Sequence, residues 1–94
     1  MIEFTRVDGK NVGDVKMLAL STCVWCKKTK AFLCDNQIEF YYLDADLLST
    51  DELDVIANEW TKYNPRLSFP TIVVNNSETI IGYDLDALKR LVGV

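Results

Sequence analysis

The chain has 94 residues, 49% of them hydrophobic, a net charge of −4, three cysteines and no histidine. Such a length makes one small domain, residues 1–94, with enough apolar residues for a core without disulfide staples. The composition argues against a secreted disulfide framework, against a membrane span, which takes roughly 20 apolar residues, and against a nucleic-acid surface, since no basic cluster exceeds Lys27-Lys28-Lys30.

The mixed, charged start Met1-Ile2-Glu3-Phe4-Thr5-Arg6 lacks a signal-peptide pattern, so a cytoplasmic monomer is expected. Residues 2–7 alternate Ile2 and Phe4 with Glu3 and Thr5, which predicts a short strand. Asp8-Gly9 and Gly13-Asp14 are turn signals. Residues 15–20 are nearly all apolar, which predicts a strand covered on both faces. A helix follows over residues 23–34, with Ser21 or Thr22 as its cap. Trp25, Thr29, Phe32 and Leu33 recur at helical spacing and read as core. Trp25 is the exception, expected to be partly exposed because it lies between two cysteines. Cys34 ends the helix and reads as a small buried apolar residue.

Beyond the turn Asp35-Asn36, residues 37–43 alternate Ile38, Phe40 and Tyr42 with Glu39 and Tyr41, a strand. Asp44-Ala45-Asp46, with Asp51, Glu52 and Asp54 nearby, lacks the spacing of an EF-hand loop and reads as a solvated acidic edge. Ser49 and Glu52 form a capping-box pattern at the start of a second helix. Its apolar face is Leu53, Ile56, Ala57 and Trp60, and Asn64-Pro65 stops it. Residues 72–74 and 79–81 flank Asn75-Asn76, a hairpin. Asp84 can cap a last helix over residues 85–91, and Gly93 ends it. The order predicts an α/β fold: a four-stranded mixed sheet, β-α-β-α-β-β-α, with helices on both faces and an extra N-terminal strand.

The chemistry concentrates in Cys23-Val24-Trp25-Cys26, where a strand hands over to a helix. Unpaired N–H groups and the positive end of the helix dipole favour a thiolate there. Lys27 and Lys28 add positive charge and tune the site without being strictly catalytic. Such surroundings lower a thiol pKa from about 8.5 to roughly 3.5–7.5. Cys23 reads as the nucleophile and Cys26, one turn on, as its disulfide partner. The same spacing could be half a zinc site. With no histidine and only Cys34 besides, a four-ligand site would need a carboxylate. The strand–helix setting favours redox chemistry, and no metal ligand is assigned.

Three features in order make residues 15–93 resemble the glutaredoxin branch of the thioredoxin superfamily. Cys23-Val24-Trp25-Cys26 matches its dithiol site. Ser68-Phe69-Pro70-Thr71 matches the loop whose proline is cis, and Gly82-Tyr83-Asp84 matches the Gly-x-Asp region after the last strand. The resemblance implies a thioredoxin-like fold and a thiol–disulfide oxidoreductase, without a tightly bound cofactor, acting on protein or low-molecular-weight disulfides. It also implies a substrate-binding set: Trp25, Phe69, Pro70, Gly82, Tyr83 and Asp84. The backbone of Phe69, before a cis Pro70, would pair with an extended substrate. Gly82 would permit close approach, and Asp84 with nearby helix N–H groups would hold the polar end of a glutathione-like peptide.

Family topology further places the strand of residues 15–20 between those of 37–43 and 72–74, with residues 2–7 at the outer edge beside 37–43. The chain departs from the usual pattern at Val24, where proline is common, at Ala19, Leu20 and Ser21, where a lysine is common, and at the single Gly82, where many members have two glycines. Glutathione and a thioredoxin- or ferredoxin-type reductase are both open as electron donors. The alternative function is a metal or iron–sulfur carrier using Cys23, since some glutaredoxins hold a cluster between two subunits.

Overall fold

The computed structural model describes residues 2–93. Among them, strands β1 (Thr5–Val7), β2 (Val15–Ala19), β3 (Phe40–Asp44), β4 (Thr71–Val74) and β5 (Glu78–Ile81) form one sheet in the order β1-β3-β2-β4-β5. Helices α1 (Val24–Asp35), α2 (Thr50–Trp60) and α3 (Leu85–Val92) and a short 3-10 turn, Ala45–Leu47, connect them. The β2–α1–β3 unit is parallel, with Leu18 opposite Leu43, while β4 runs antiparallel to β2, with Met17 opposite Ile72. The strand that leads into the cysteine pair is therefore central, as expected.

Alternation along the strands splits the core into two layers. Val15, Met17, Ala19, Phe40, Ile72 and Val74 face α1 and α3, where they meet Cys26, Leu33 and Leu88. Leu18, Leu43 and Val73 face the other way, toward Ile56 and Trp60 of α2. Ser49 and Glu52 complete the capping box on α2, and Asp84 and Gly93 cap α3 as expected.

β1 pairs antiparallel with β3, Arg6 opposite Tyr41, and so takes the outer edge. It is shorter than the pattern of residues 2–7 predicts. Ile2 and Phe4 leave the sheet to pack on the α2 side, where the Phe4 ring stacks 6.2 Å from Trp60. Gly9 then runs against the start of the neighbouring chain segment. A Cβ there would meet the Ile38 carbonyl carbon at 2.5 Å, so close approach rather than turn geometry demands this glycine. β3 starts later than expected: Gln37 adopts a left-handed φ of 56°, outside the strand region, and Ile38 makes only an isolated bridge to Lys10.

Candidate active site

β2 ends at Ala19, and the next residues turn back at once. The Cys23 N–H donates to the Leu20 carbonyl at 3.2 Å, which delivers Cys23 to the first turn of α1. The expected caps, Ser21 and Thr22, do not cap the helix. Cys23 itself is the N-cap, and its Sγ accepts the Cys26 N–H at 3.1 Å. Ser21 is instead held by a residue far off in sequence. Asp46 takes both the N–H of Ser21, at 2.9 Å, and its hydroxyl, at 2.5 Å. The Ser21 hydroxyl is thereby engaged away from the helix, and the cap is the Cys23 sulfur.

Cys26 lies on the core face of α1 with Thr29 and Leu33, and its side chain has 0% exposure. Burial, and after it the hydrogen bond with Cys23, pushes its thiol up from the ordinary 9.0 to about 12. Cys23 is half-buried, and all three cysteines are free thiols. The pair thus divides into an accessible sulfur that receives an N–H bond and a shielded one that keeps its proton. Cys34, expected to be buried, is exposed. It follows Leu33 by one residue, and that 100° step turns it from the core to solvent.

Trp25 is 53% exposed and stacks on Tyr83 with ring centroids 5.8 Å apart. The ammonium of Lys28 lies 4.7 Å from the Trp25 ring centre. Trp25, Phe69, Gly82 and Tyr83 line an open groove of about 220 Å³. The Phe69–Pro70 peptide is cis, as expected. Pro70 itself is fully buried, so it underlies the groove rather than lining it. Its carbonyl accepts the Gly82 N–H at 2.8 Å, joining the two loops, and Gly82 takes a left-handed φ of 73°. Asp84 stands at the head of α3, where its carboxylate accepts the Ala87 N–H at 3.1 Å. Lys27 and Lys28 are exposed on α1. A larger cleft of about 440 Å³, between Val12, Glu78, Arg90 and Leu91, contains no cysteine and lies apart from this chemistry.

The family model for glutaredoxin matches residues 15–78. The chain belongs to the glutaredoxin family. Its structure is similar to a glutaredoxin from Methanosarcina mazei Go1, with 37% identity, a TM-score of 0.88, and coverage of 97% of this chain and 88% of that one. It is similar also to a methanoredoxin from Methanosarcina acetivorans, with 37% identity, a TM-score of 0.86, and coverage of 92% and 90%. A glutaredoxin from Archaeoglobus fulgidus shares 29% identity, with a TM-score of 0.77 and coverage of 85% and 86%. No curated protein matches. The glutaredoxin family and the Cys23–Cys26 pair together support a thiol oxidoreductase.

Two residues of this glutaredoxin site were not singled out by their local pattern. Asp46 reads as part of a solvated acidic edge, yet it anchors the turn before Cys23. Its partner in that edge, Asp44, pairs with Lys30 at 3.3 Å. Asn64 reads as a helix stop, yet it is buried under the cis-proline loop. Its amide donates to the Ser68 hydroxyl at 3.0 Å and to the Thr71 hydroxyl at 2.9 Å, while the Thr71 hydroxyl donates to the Ser68 carbonyl at 2.6 Å. These bonds fix the loop that carries Phe69. Among the described residues, no group of three or more His, Cys, Asp or Glu is placed to hold a metal ion, and no helix is long and apolar enough to cross a membrane.

Proposed function

We propose that this chain reduces disulfides, of proteins or of small molecules, by exchange through its own dithiol. The observation that carries the reading is the asymmetry of the pair: Cys23 Sγ accepts the Cys26 N–H at 3.1 Å and is accessible, whereas the Cys26 thiol is buried, which favours its protonated form. An N–H aimed at sulfur stabilises the anion more than the neutral thiol. Cys23 as thiolate attacks one sulfur of a substrate disulfide. The substrate S–S bond breaks, and one substrate thiol leaves with a proton from solvent. Cys26 then gives up its proton and attacks Cys23 Sγ, which releases the second thiol. Two electrons have passed to the substrate, and Cys23–Cys26 is a disulfide.

The groove of Trp25, Phe69, Gly82 and Tyr83 receives the segment that carries the target sulfur, with Pro70 setting the backbone of Phe69. Asp84 and the head of α3 are assigned to a polar end of the substrate, and Lys27 and Lys28 to the charge around the attacking sulfur. A reducing cytosol keeps such a pair available. Glutathione or a reductase of the thioredoxin or ferredoxin type returns the electrons. Nothing observed favours the metal- or cluster-carrier alternative.

Mixing pre-reduced protein with a small model disulfide tests the reading. Release of two substrate thiols per chain, with loss of both Cys23 and Cys26 thiols, is expected. No thiol release would overturn it. Parallel regeneration by glutathione with its reductase and by thioredoxin reductase identifies the donor.

A further inference from the structure

We propose that Asp46 is a positioning residue of the dithiol, which sets the start of α1 at Cys23 by holding Ser21. The inference rests on the redox reading of Cys23 and adds to it a residue outside the motif. Ser and Thr are strong N-caps. A free Ser21 hydroxyl would therefore compete for the cap, starting the helix two residues earlier and moving Cys23 inside the first turn. Asp46 removes that competitor. Its two carboxylate oxygens take the two Ser21 donors separately, the N–H on Oδ1 and the hydroxyl on Oδ2. Cys23 is then left in an extended conformation, φ −83° and ψ 117°, the geometry that points its own side chain back at the Cys26 N–H.

The anchor is well founded. Asp46 opens from the end of β3, which is hydrogen-bonded to β2 along Lys16–Ala19 and so cannot drift from the strand that leads to Ser21. Asp44, at the end of β3, holds Lys30, one turn beyond Cys26. The dithiol segment is thus tied on both flanks to one stretch, Asp44-Ala45-Asp46. The Ser21 hydroxyl, and after it the Ser21 N–H, hold the Asp46 carboxyl below the usual carboxylate range, so the anchor stays ionised through neutral pH.

The test measures the rate at which iodoacetamide labels Cys23 at neutral pH, with the site read by mass mapping and folding checked by urea titration. Asp46→Ala is expected to slow labelling by about tenfold, the loss of two charge-assisted bonds discounted for relaxation of the turn. Asp46→Asn offers one acceptor and one donor to the same two Ser21 groups, and is expected to stay within about threefold of wild type. Ser21→Ala removes the competing hydroxyl itself and keeps the N–H bond, and is expected to stay within about threefold of wild type. Asp54→Ala, an exposed acid on α2, controls for net charge and leaves the rate unchanged. An Asp46→Ala rate within about twofold of wild type, equal losses in Ala and Asn, or a loss in Ser21→Ala as large as in Asp46→Ala would each overturn the role. Labelling needs no disulfide substrate. A wild-type chain that reduces nothing would sink the functional reading alone, and a normal Asp46→Ala variant of an active chain would sink the positioning role alone.

Discussion

The backbone N–H of Cys26 points at the sulfur of Cys23 across 3.1 Å, while the Cys26 side chain has 0% exposure. One residue thus serves its partner with its backbone and waits with its thiol. The asymmetry of the redox pair comes from its place at the head of α1. N-cap geometry faces Cys23 toward unpaired N–H groups, and the helical period turns Cys26 into the core with Thr29 and Leu33.

Labelling of the reduced protein is expected to follow Cys23 first, Cys34 next and Cys26 last. Cys34 is exposed but sits at the opposite end of α1, away from the N-terminal N–H groups that favour thiolate. The order is measured by alkylation and mass mapping. Cys34 labelled first would contradict the account.

Stability is expected to fall as pH rises above 9.0, because Cys26 keeps its proton up to about 12 in the folded chain and only to about 9.0 when unfolded. Between those values the native state binds the extra proton, so raising pH favours unfolding, and below 9.0 the contribution is fully present. Urea midpoints across this range, compared between wild type and Cys26→Ser, isolate the effect. A pH slope as steep in Cys26→Ser as in wild type would remove Cys26 as its source.

Trp25 and Tyr83 stack within the lining of the groove, and Trp25 is 53% exposed. Replacing Trp25 with Ala is expected to cost about 0.5–1.5 kcal/mol of stability through the lost ring pair. The larger effect falls on substrate: KM for a protein disulfide rises by about five- to tenfold, while iodoacetamide labelling of Cys23 changes little. Steady-state kinetics beside alkylation rates separate the two. Equal losses in both would mean that Trp25 acts on the sulfur and not on the substrate.

Deletion of residues 1–7 is expected to lower stability yet spare the dithiol, since β1 is an edge strand joined to the sheet through β3 alone. The cost exceeds that of a strand edge, because Phe4 leaves the Trp60 ring uncovered and the Arg6–Glu39 pair at 2.6 Å is lost. A loss of about 2–3 kcal/mol follows from removing one large apolar contact together with the edge pairing. Denaturant unfolding measures it, and Cys23 labelling at the wild-type rate in the folded truncation confirms that the site stands without β1.

Much of this fold was legible in local pattern. Apolar residues 15–20 mark a strand covered on both faces, Ser49 with Glu52 marks a helix start, and Asp84 with Gly93 brackets the last helix. The cysteine spacing and its place between strand and helix point to thiol chemistry. What local pattern did not carry are pairings between distant segments. Ser21 looks like a cap until Asp46, 25 residues on, takes its hydroxyl. Asn64 looks like a helix stop until Ser68 and Thr71 fold over it. Cys34 looks like core because cysteine is commonly buried, but at the last turn of α1 one step of helical rotation decides otherwise. Ile2 and Phe4 alternate like a strand, yet the uncovered face of Trp60 claims Phe4 instead.

The most direct test of the dithiol mechanism is the mass of Cys26→Ser protein after reaction with a disulfide-bonded protein substrate. Without the resolving thiol the first step still occurs and the second cannot. A stable mixed disulfide mapped to Cys23 is predicted, with turnover of the protein substrate reduced to background and Cys23→Ser forming no adduct at all. Wild-type turnover by Cys26→Ser, or an adduct mapped to Cys34, would contradict it.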